Sequence, residues 1–391
     1  MKATTRDIAH MDLDTFFVSC QYLIDSSLIG KPVIIGGSSD RGVVSSCSYE
    51  ARYFGVHSAM PMKHALQRCP DAVIVRGDMD FYSKKSSEVT QVIKESAPVY
   101  EKSSIDEFYL DVSGMDRFYD TYKWTTELVT KINTETGLPI SFGLSGNKTV
   151  AKMATTESKP KGKLQISHDV IQQFLNPLSV SKIPMVGNKT KQELFRIGIK
   201  KIQTLSQTPV EFLEQLFGKN GRLMYQKANG IDHSPIVQDH EANSISKERS
   251  FDRDTLDLKG VQALLSQFVE DLCYKLRKDQ KVCSKVTVKI RYSNFDTYTK
   301  QCSFAYTGSD QVVLTHVKTL FEKLFERRMR IRLIGVKLSG LVNGAHQISL
   351  FDENTEEIAL LQAMDKLKNR FGTDVIRSAS GFNALSKNNQ A

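Results

Sequence analysis

In Ser103-Ser104-Ile105-Asp106-Glu107-Phe108-Tyr109-Leu110-Asp111-Val112, a strand pattern carries two adjacent acids. Ile105, Phe108, Leu110 and Val112 suit a half-buried β-strand, because branched and aromatic side chains pack well on a pleated surface. Successive strand residues point to opposite faces, so Asp106 and Glu107 reach one site only near a strand end, turn or bulge. Two carboxylates held about 3 to 4 Å apart repel unless they share a proton or a cation, and hard oxygen ligands select Mg²⁺ or Mn²⁺. Taken alone, Ser-Ile-Asp-Glu reads as a solvated turn rather than a metal site.

The N-terminus changes that balance. Ile8-Ala9-His10-Met11-Asp12-Leu13-Asp14-Thr15-Phe16-Phe17-Val18 reads as a short strand running into a helix, with Asp14 or Thr15 as its N-cap and Asp12 at the strand's end. A third carboxylate beside Asp106 and Glu107 completes a two-metal site for in-line phosphoryl transfer, with the backbone carbonyl of Leu13 as a further oxygen ligand. The helix starting near Thr15 offers free N–H groups to a triphosphate. For Asp14, capping is the expected role in preference to metal binding.

Further motifs follow in order: Ser48-Tyr49-Glu50-Ala51-Arg52 with Phe54-Gly55-Val56, then Ser104-Ile105-Asp106-Glu107, then Lys159-Pro160-Lys161-Gly162. Together with Met11-Asp12-Leu13-Asp14 and Phe16-Phe17, they resemble the ordered motifs of Y-family lesion-bypass DNA polymerases, nearest the bacterial DNA polymerase IV type, over roughly residues 6 to 345. The resemblance implies an α+β, multidomain right-hand polymerase. Its palm is expected at 1–10 and 77–165, fingers at 11–76, a helix-hairpin-helix thumb at 166–233, a linker at 234–243, a split βαβ little finger at 244–342 and a clamp-binding tail at 343–391.

A chain of 391 residues exceeds one compact core, and its net charge of +9 with a pI near 9.0 favours a polyanionic partner. Six cysteines form no C-x-x-C pair, so a reduced, cytoplasmic protein is expected. No signal core and no run of 18 apolar residues is present, so no membrane association is expected.

Tyr49 and Arg52, three apart on a helix, share a face, and the planar guanidinium of Arg52 suits phosphate. The resemblance assigns Ser46, Tyr49, Arg52 and Lys159 to the incoming nucleotide together with Phe16 and Phe17, and makes Phe17 the steric gate against a 2′-hydroxyl. It also puts Gly42 and Val43 above the nascent base pair. Helices are expected over Met79–Ala97 and Thr121–Thr136 and a strand over Pro139–Ser145, with the helices on one side of the sheet. Between Asn147 and Lys163 five lysines oppose Glu157 alone; Lys148 and Lys152 read equally as a solvated face.

Ile183 to Thr190 and Leu216 to Arg222 place glycine turns between short helices, leaving N–H groups for DNA phosphates; Gly187, Lys189, Lys219 and Gly221 are the candidate contacts. The usual hairpin motif of the resembled family has glycine where Met185 stands. Asp232 to Asn243 reads as a linker. Beyond it the pattern is strand, helix, strand, strand, helix, strand, at about 244–252, 260–278, 283–292, 298–306, 311–327 and 330–341. Lys285, Thr287, Lys289 and Arg291 alternate with apolar residues and form an outward face with no acid of its own, which suits a DNA backbone. Gln347-Ile348-Ser349-Leu350-Phe351 is similar to the bacterial sliding-clamp (β clamp) peptide, with Gln347, Leu350 and Phe351 as anchors, and an amphipathic helix follows over Glu356 to Phe371.

These readings converge on a low-fidelity, template-directed DNA polymerase that holds two Mg²⁺ (or Mn²⁺) on Asp12, Asp106 and Glu107. It would use dNTP and primer-template DNA and act as a monomer. The rivals from other classes are a two-metal nucleotide cyclase and a non-catalytic DNA- and clamp-binding protein.

Overall fold

Residues 6–37, 41–238, 241–344 and 355–379 are described by the computed structural model. In the first unit, up to His240, the chain runs β1 (Ile8–Leu13), α1 (Phe16–Ile24), β2 (Val33–Gly36), β3 (Val44–Cys47), α2 (Tyr49–Tyr53), α3 (Met62–Arg68) and β4 (Val73–Val75). It continues through α4 (Met79–Ser96), β5 (Val99–Lys102), β6 (Glu107–Asp111), α5 (Thr121–Thr136), β7 (Ile140–Ser145), α6 (Lys148–Ser158) and β8 (Lys163–Ile166). Five short helices close the unit: α7 (Ile171–Leu175), α8 (Asn188–Arg196), α9 (Ile202–Gln207), α10 (Val210–Phe217) and α11 (Lys219–Ala228).

The main sheet has the order β5-β6-β1-β7-β8, with β1 antiparallel to both neighbours. Alternation along β1 sorts its side chains: Met11 joins Phe108, Leu110 and Phe142 in a core with α4 and α5, while His10 points the other way, toward Thr155. The expectation of helices on one side therefore holds for α4 and α5 but not for α6, which lies across the opposite face. Gly143 on β7 permits this, since a Cβ there would stand 2.2 Å from the Ala151 carbonyl oxygen of α6. α6 also contributes Val150, Met153 and Ala154 to a core shared with Leu175, Val180, Leu194, Leu213 and Met224 of the following helices. A three-stranded sheet, β3-β2-β4, has its own small core around Ile34, Val44 and Met60.

The stretch after Asp232 is no free linker at its start. Thr149 and Ser234 donate to Asp232, Lys148 donates to the Pro235 carbonyl, and Val237 N donates to Glu101, so Asp232 to Val237 is fastened to the main sheet.

The second unit, from Glu241, runs β9 (Ser244–Thr255), α12 (Leu258–Lys278), β10 (Lys281–Tyr292), β11 (Thr297–Thr307), α13 (Asp310–Leu324), β12 (Ile331–Ser339), β13 (Val342–Asn343) and α14 (Thr355–Phe371). Its sheet order is β11-β10-β12-β9. Since β9 and β10 both pair antiparallel with β12, β9-α12-β10 is a split βαβ unit with β12 inserted. Val286, Val288 and Ile290 are fully buried with α12 and α13, about 1.5 to 3 kcal/mol of apolar burial each. α14 docks on this unit: Arg277 of α12 donates to Asp365 through Nε and Nη2 at 2.7 and 2.9 Å and to Asp310 at 2.5 Å, and Tyr274 donates to Asn369.

Candidate active site

Asp12, the penultimate residue of β1, is the cross-strand partner of Glu107, the first residue of β6. Asp106 lies in the turn just before β6, which satisfies the condition that adjacent acids share a site only at a strand end. Ser104 shapes that turn: its hydroxyl donates to Asp106 Oδ1 at 2.6 Å and accepts from the backbone N–H groups of Asp106 and Glu107. Leu13 N donates to the Asp106 carbonyl at 3.0 Å, tying the strand end to the turn. The Leu13 side chain is buried, so only its carbonyl is available as a ligand.

The helix α6 answers these acids with one stripe of side chains at helical spacing. Lys148 donates to both Glu101 oxygens at 2.7 Å, Lys152 to both Glu107 oxygens at 2.7 and 2.6 Å, and Thr155 meets His10; Lys159, the C-cap, reaches Asp12 at 2.5 Å. Lys148 and Lys152 are thus ion-paired rather than a solvated face. Burial pushes the Asp12 carboxyl up to about 6, opposed by Lys159 and reinforced by Glu107 and Asp106.

Asp14 does not cap α1. Thr15 holds the N-cap position in a left-handed conformation (φ 43°) without a side-chain cap bond. The Asp14 carboxylate instead accepts from Ser141 Oγ at 3.0 and 2.9 Å and from Lys161 N at 2.7 Å, so it fastens the loop that carries Lys159. No spacing rule marks this role, because Ser141 and Lys161 come from elements more than a hundred residues away. Tyr49 Oη reaches Asp14 Oδ1 at 3.5 Å, the same oxygen that lies 3.8 Å from Lys159 Nζ, and the Arg52 guanidinium lies 5.3 Å from the Tyr49 ring centre. Ser46 is buried on β3. Val43 is half exposed.

Phe16 and Phe17 part company. Phe16 is buried in the main core, which leaves only its backbone at the head of α1 for a ligand. Phe17 is half-buried and stacks on Tyr82, ring centres 4.5 Å apart, and Tyr82 is fixed by a hydrogen bond from Gln21.

Among the described residues no three carboxylates, imidazoles or thiols already surround one point. The donor set nevertheless fits a hard divalent cation: Asp12 and Glu107 face each other, Asp106 adjoins them, and two ammonium groups now stand where the acids attract positive charge.

The remaining candidates lie apart from this centre. Gly187 caps α8 with open space around its Cα, and Lys189 and Lys219 are exposed. Gly221 is a packing residue: it is buried, its N–H is spent on the Gly218 carbonyl, and a Cβ would meet the Leu213 carbonyl oxygen at 2.1 Å. In the second unit the face of Lys285, Thr287, Lys289 and Arg291 does contain an acid. Lys289 bonds both oxygens of Glu248 from β9, reaching across Gly335, the residue paired with both. Arg291 donates to Thr297. Gln347, Leu350 and Phe351 lie outside the described residues. No described helix is long and apolar enough to cross a membrane.

Residues 11–156 match the impB/mucB/samB family and residues 242–350 its C-terminal domain. The DNA polymerase IV of Treponema denticola is 34% identical over 96% of this chain and 97% of its own length; that of Methanoculleus marisnigri is 36% identical over 90% and 99%. A solved Y-family DNA polymerase chimera covers 86% of this chain and 100% of its own, with a TM-score of 0.77 and 24% identity, a likeness of fold. With the cross-strand acids and the two matched regions together, the chain belongs to the impB/mucB/samB family of Y-family DNA polymerases, in its DNA polymerase IV branch, and is a DNA-directed DNA polymerase.

Proposed function

We propose that this polymerase extends primers past damaged template bases from dNTPs, with low fidelity on intact DNA, at a centre where Asp12, Asp106, Glu107 and the Leu13 carbonyl hold divalent cations, Mg²⁺ or Mn²⁺. The observation that carries the reading is the register pair Asp12 and Glu107 with Asp106 in the adjoining turn. Bound cations supply electrostatic stabilisation of the charge that develops on a transferring phosphoryl group. The protein's own part is to place the acids, to keep Lys159 on a loop fastened by Asp14, and to offer Tyr49 and Arg52 to the triphosphate. Lys159 and Lys152, which here donate to Asp12 and Glu107, would turn to phosphate oxygens were those carboxylates engaged as ligands. Phe17, braced by Tyr82, serves as the gate against ribonucleotides.

Primer-template phosphates are held at the Gly187 hairpin with Lys189, at Lys219, and on the sheet face of Lys285, Thr287, Lys289 and Arg291. The Gln347 to Phe351 peptide docks on a sliding clamp. The chain acts as a monomer, and six free cysteines support a reducing, cytoplasmic location. Primer extension on intact and abasic templates, with and without Mg²⁺, tests the whole. Extension that stops at the abasic site, or proceeds after chelation, contradicts it.

A further inference from the structure

Between the β5–β6 turn, the start of α6, the turn before α8 and helix α11 lies a cavity of about 230 Å³. Its lining brings two acids and two lysines together. Both acids are satisfied from within: Glu101 by Lys148 and Val237 N, Asp232 by Thr149, Ser234 Oγ and Ser234 N at 2.6, 2.6 and 3.0 Å. Lys227 of α11 is left over. It is half-buried and has no carboxylate within ion-pair range among the described residues. Burial holds its pKa below the usual lysine range, against the pull of Asp232. Ser103, also in the lining, is exposed and its hydroxyl has no partner among the described residues.

An unpartnered ammonium and a free hydroxyl lining one cavity, whose carboxylate oxygens are already engaged, select an oxyanion. The location narrows the ligand. Ser103 N donates to the Glu107 carbonyl at 3.0 Å, so one wall abuts an acid of the active site; Pro184, on another wall, directly precedes the hairpin of Met185, Val186 and Gly187. On the proposed placement of DNA, a strand whose end lies at the acids and whose backbone follows that hairpin would run beside this opening.

We infer that Lys227 and Ser103 bind one phosphodiester of the primer strand close behind its 3′ end and so position the primer terminus. The inference rests on the proposed placement of DNA at the hairpin. The ligand class is a phosphate oxyanion, which could also arrive as free pyrophosphate, and the test separates the two.

The test measures primer-template affinity for the wild type and Lys227→Met, using primers in which a neutral methylphosphonate replaces one phosphate at each of the first four positions from the 3′ end. In the wild type one position should cost about tenfold in Kd. Lys227→Met should cost about as much with the unmodified primer and show no added loss at that same position, with KM for DNA raised and kcat at saturating DNA nearly unchanged. Its melting temperature should hold or rise, because an ammonium that burial disfavours is removed; a fall in melting temperature together with affinity at every position would make Lys227 structural and overturn the inference. An unchanged methylphosphonate profile with altered pyrophosphate inhibition would assign the cavity to the free anion and also overturn it. Wild-type affinity that ignores every methylphosphonate would overturn the inference; an equally silent Gly187→Ala would refute the hairpin reading with it, whereas a loss of affinity in Gly187→Ala would leave that reading standing.

Discussion

Asp12 and Glu107 stand opposite each other on antiparallel strands, and each is held by a different lysine of the same helical stripe, Lys159 for Asp12 and Lys152 for Glu107. The negative charge of both acids is therefore already countered by ammonium groups.

Asp106 makes no lysine pair among the described residues, so its removal leaves the surrounding ion pairs in place. Asp106→Ala should lower primer extension by at least about a thousandfold, ~4 kcal/mol in transition-state stabilisation, with DNA affinity nearly intact. Single-turnover extension within about tenfold of the wild type would remove Asp106 from the centre.

Since the Asp12 pKa is raised to about 6, above its unfolded value, the fold favours the protonated acid, and metal-free stability falls as pH rises from near 4 through 6. Divalent cations bind only the ionised form, so Mg²⁺ should protect more at pH 7 than at pH 5. The Mg²⁺-dependent gain in melting temperature across that range is the measurement; an equal gain at both values would contradict a buried, proton-linked ligand.

Phe17→Ala should raise ribonucleotide insertion relative to deoxyribonucleotide at least about tenfold, ~1.4 kcal/mol. The Tyr82 stack makes a control available: Tyr82→Leu should loosen the gate and weaken discrimination less. Unchanged sugar selection in a folded Phe17→Ala variant would place the gate elsewhere.

How much of this was legible in the sequence depends on the range of each interaction. Strand alternation found β1, β6 and β10, and the element order of the second unit came within a few residues, because both follow from local periodicity. The three acids were legible as a set, through adjacency and the end of β1. The partners were not: that α6 crosses the acid-bearing face depends on Gly143, and that Asp14 fastens a distant loop depends on Ser141 and Lys161. Gly221 looked like a phosphate turn because its neighbours are Lys219 and Arg222, yet its spacing from Leu213 gives it to helix packing.

Glu248 alters what the basic sheet face should do. Because Lys289 is already paired, Glu248→Gln should tighten DNA binding and steepen its salt dependence by roughly one unit, while joint neutralisation of Lys285, Lys289 and Arg291 should flatten it. Titration of Kd against salt reads both; parallel slopes for all variants would leave the face solvated.

Alanine at Gln347, Leu350 and Phe351 together should leave distributive extension of a short primer unchanged and abolish stimulation by loaded clamp. A loss of melting temperature and of clamp-independent activity would mean that Leu350 and Phe351 pack into the fold instead.

The helix α6 has two unlike sides. One carries Lys148, Lys152 and Lys159 to the acids, and the other is sealed by Val150, Met153 and Ala154 into the core of the helices that follow. Close-packed cores transmit displacement instead of absorbing it. The helices that follow β8 are thus joined through one packed helix to the lysines that neutralise Asp12 and Glu107, so the charge balance of the acids depends on how well those helices are packed.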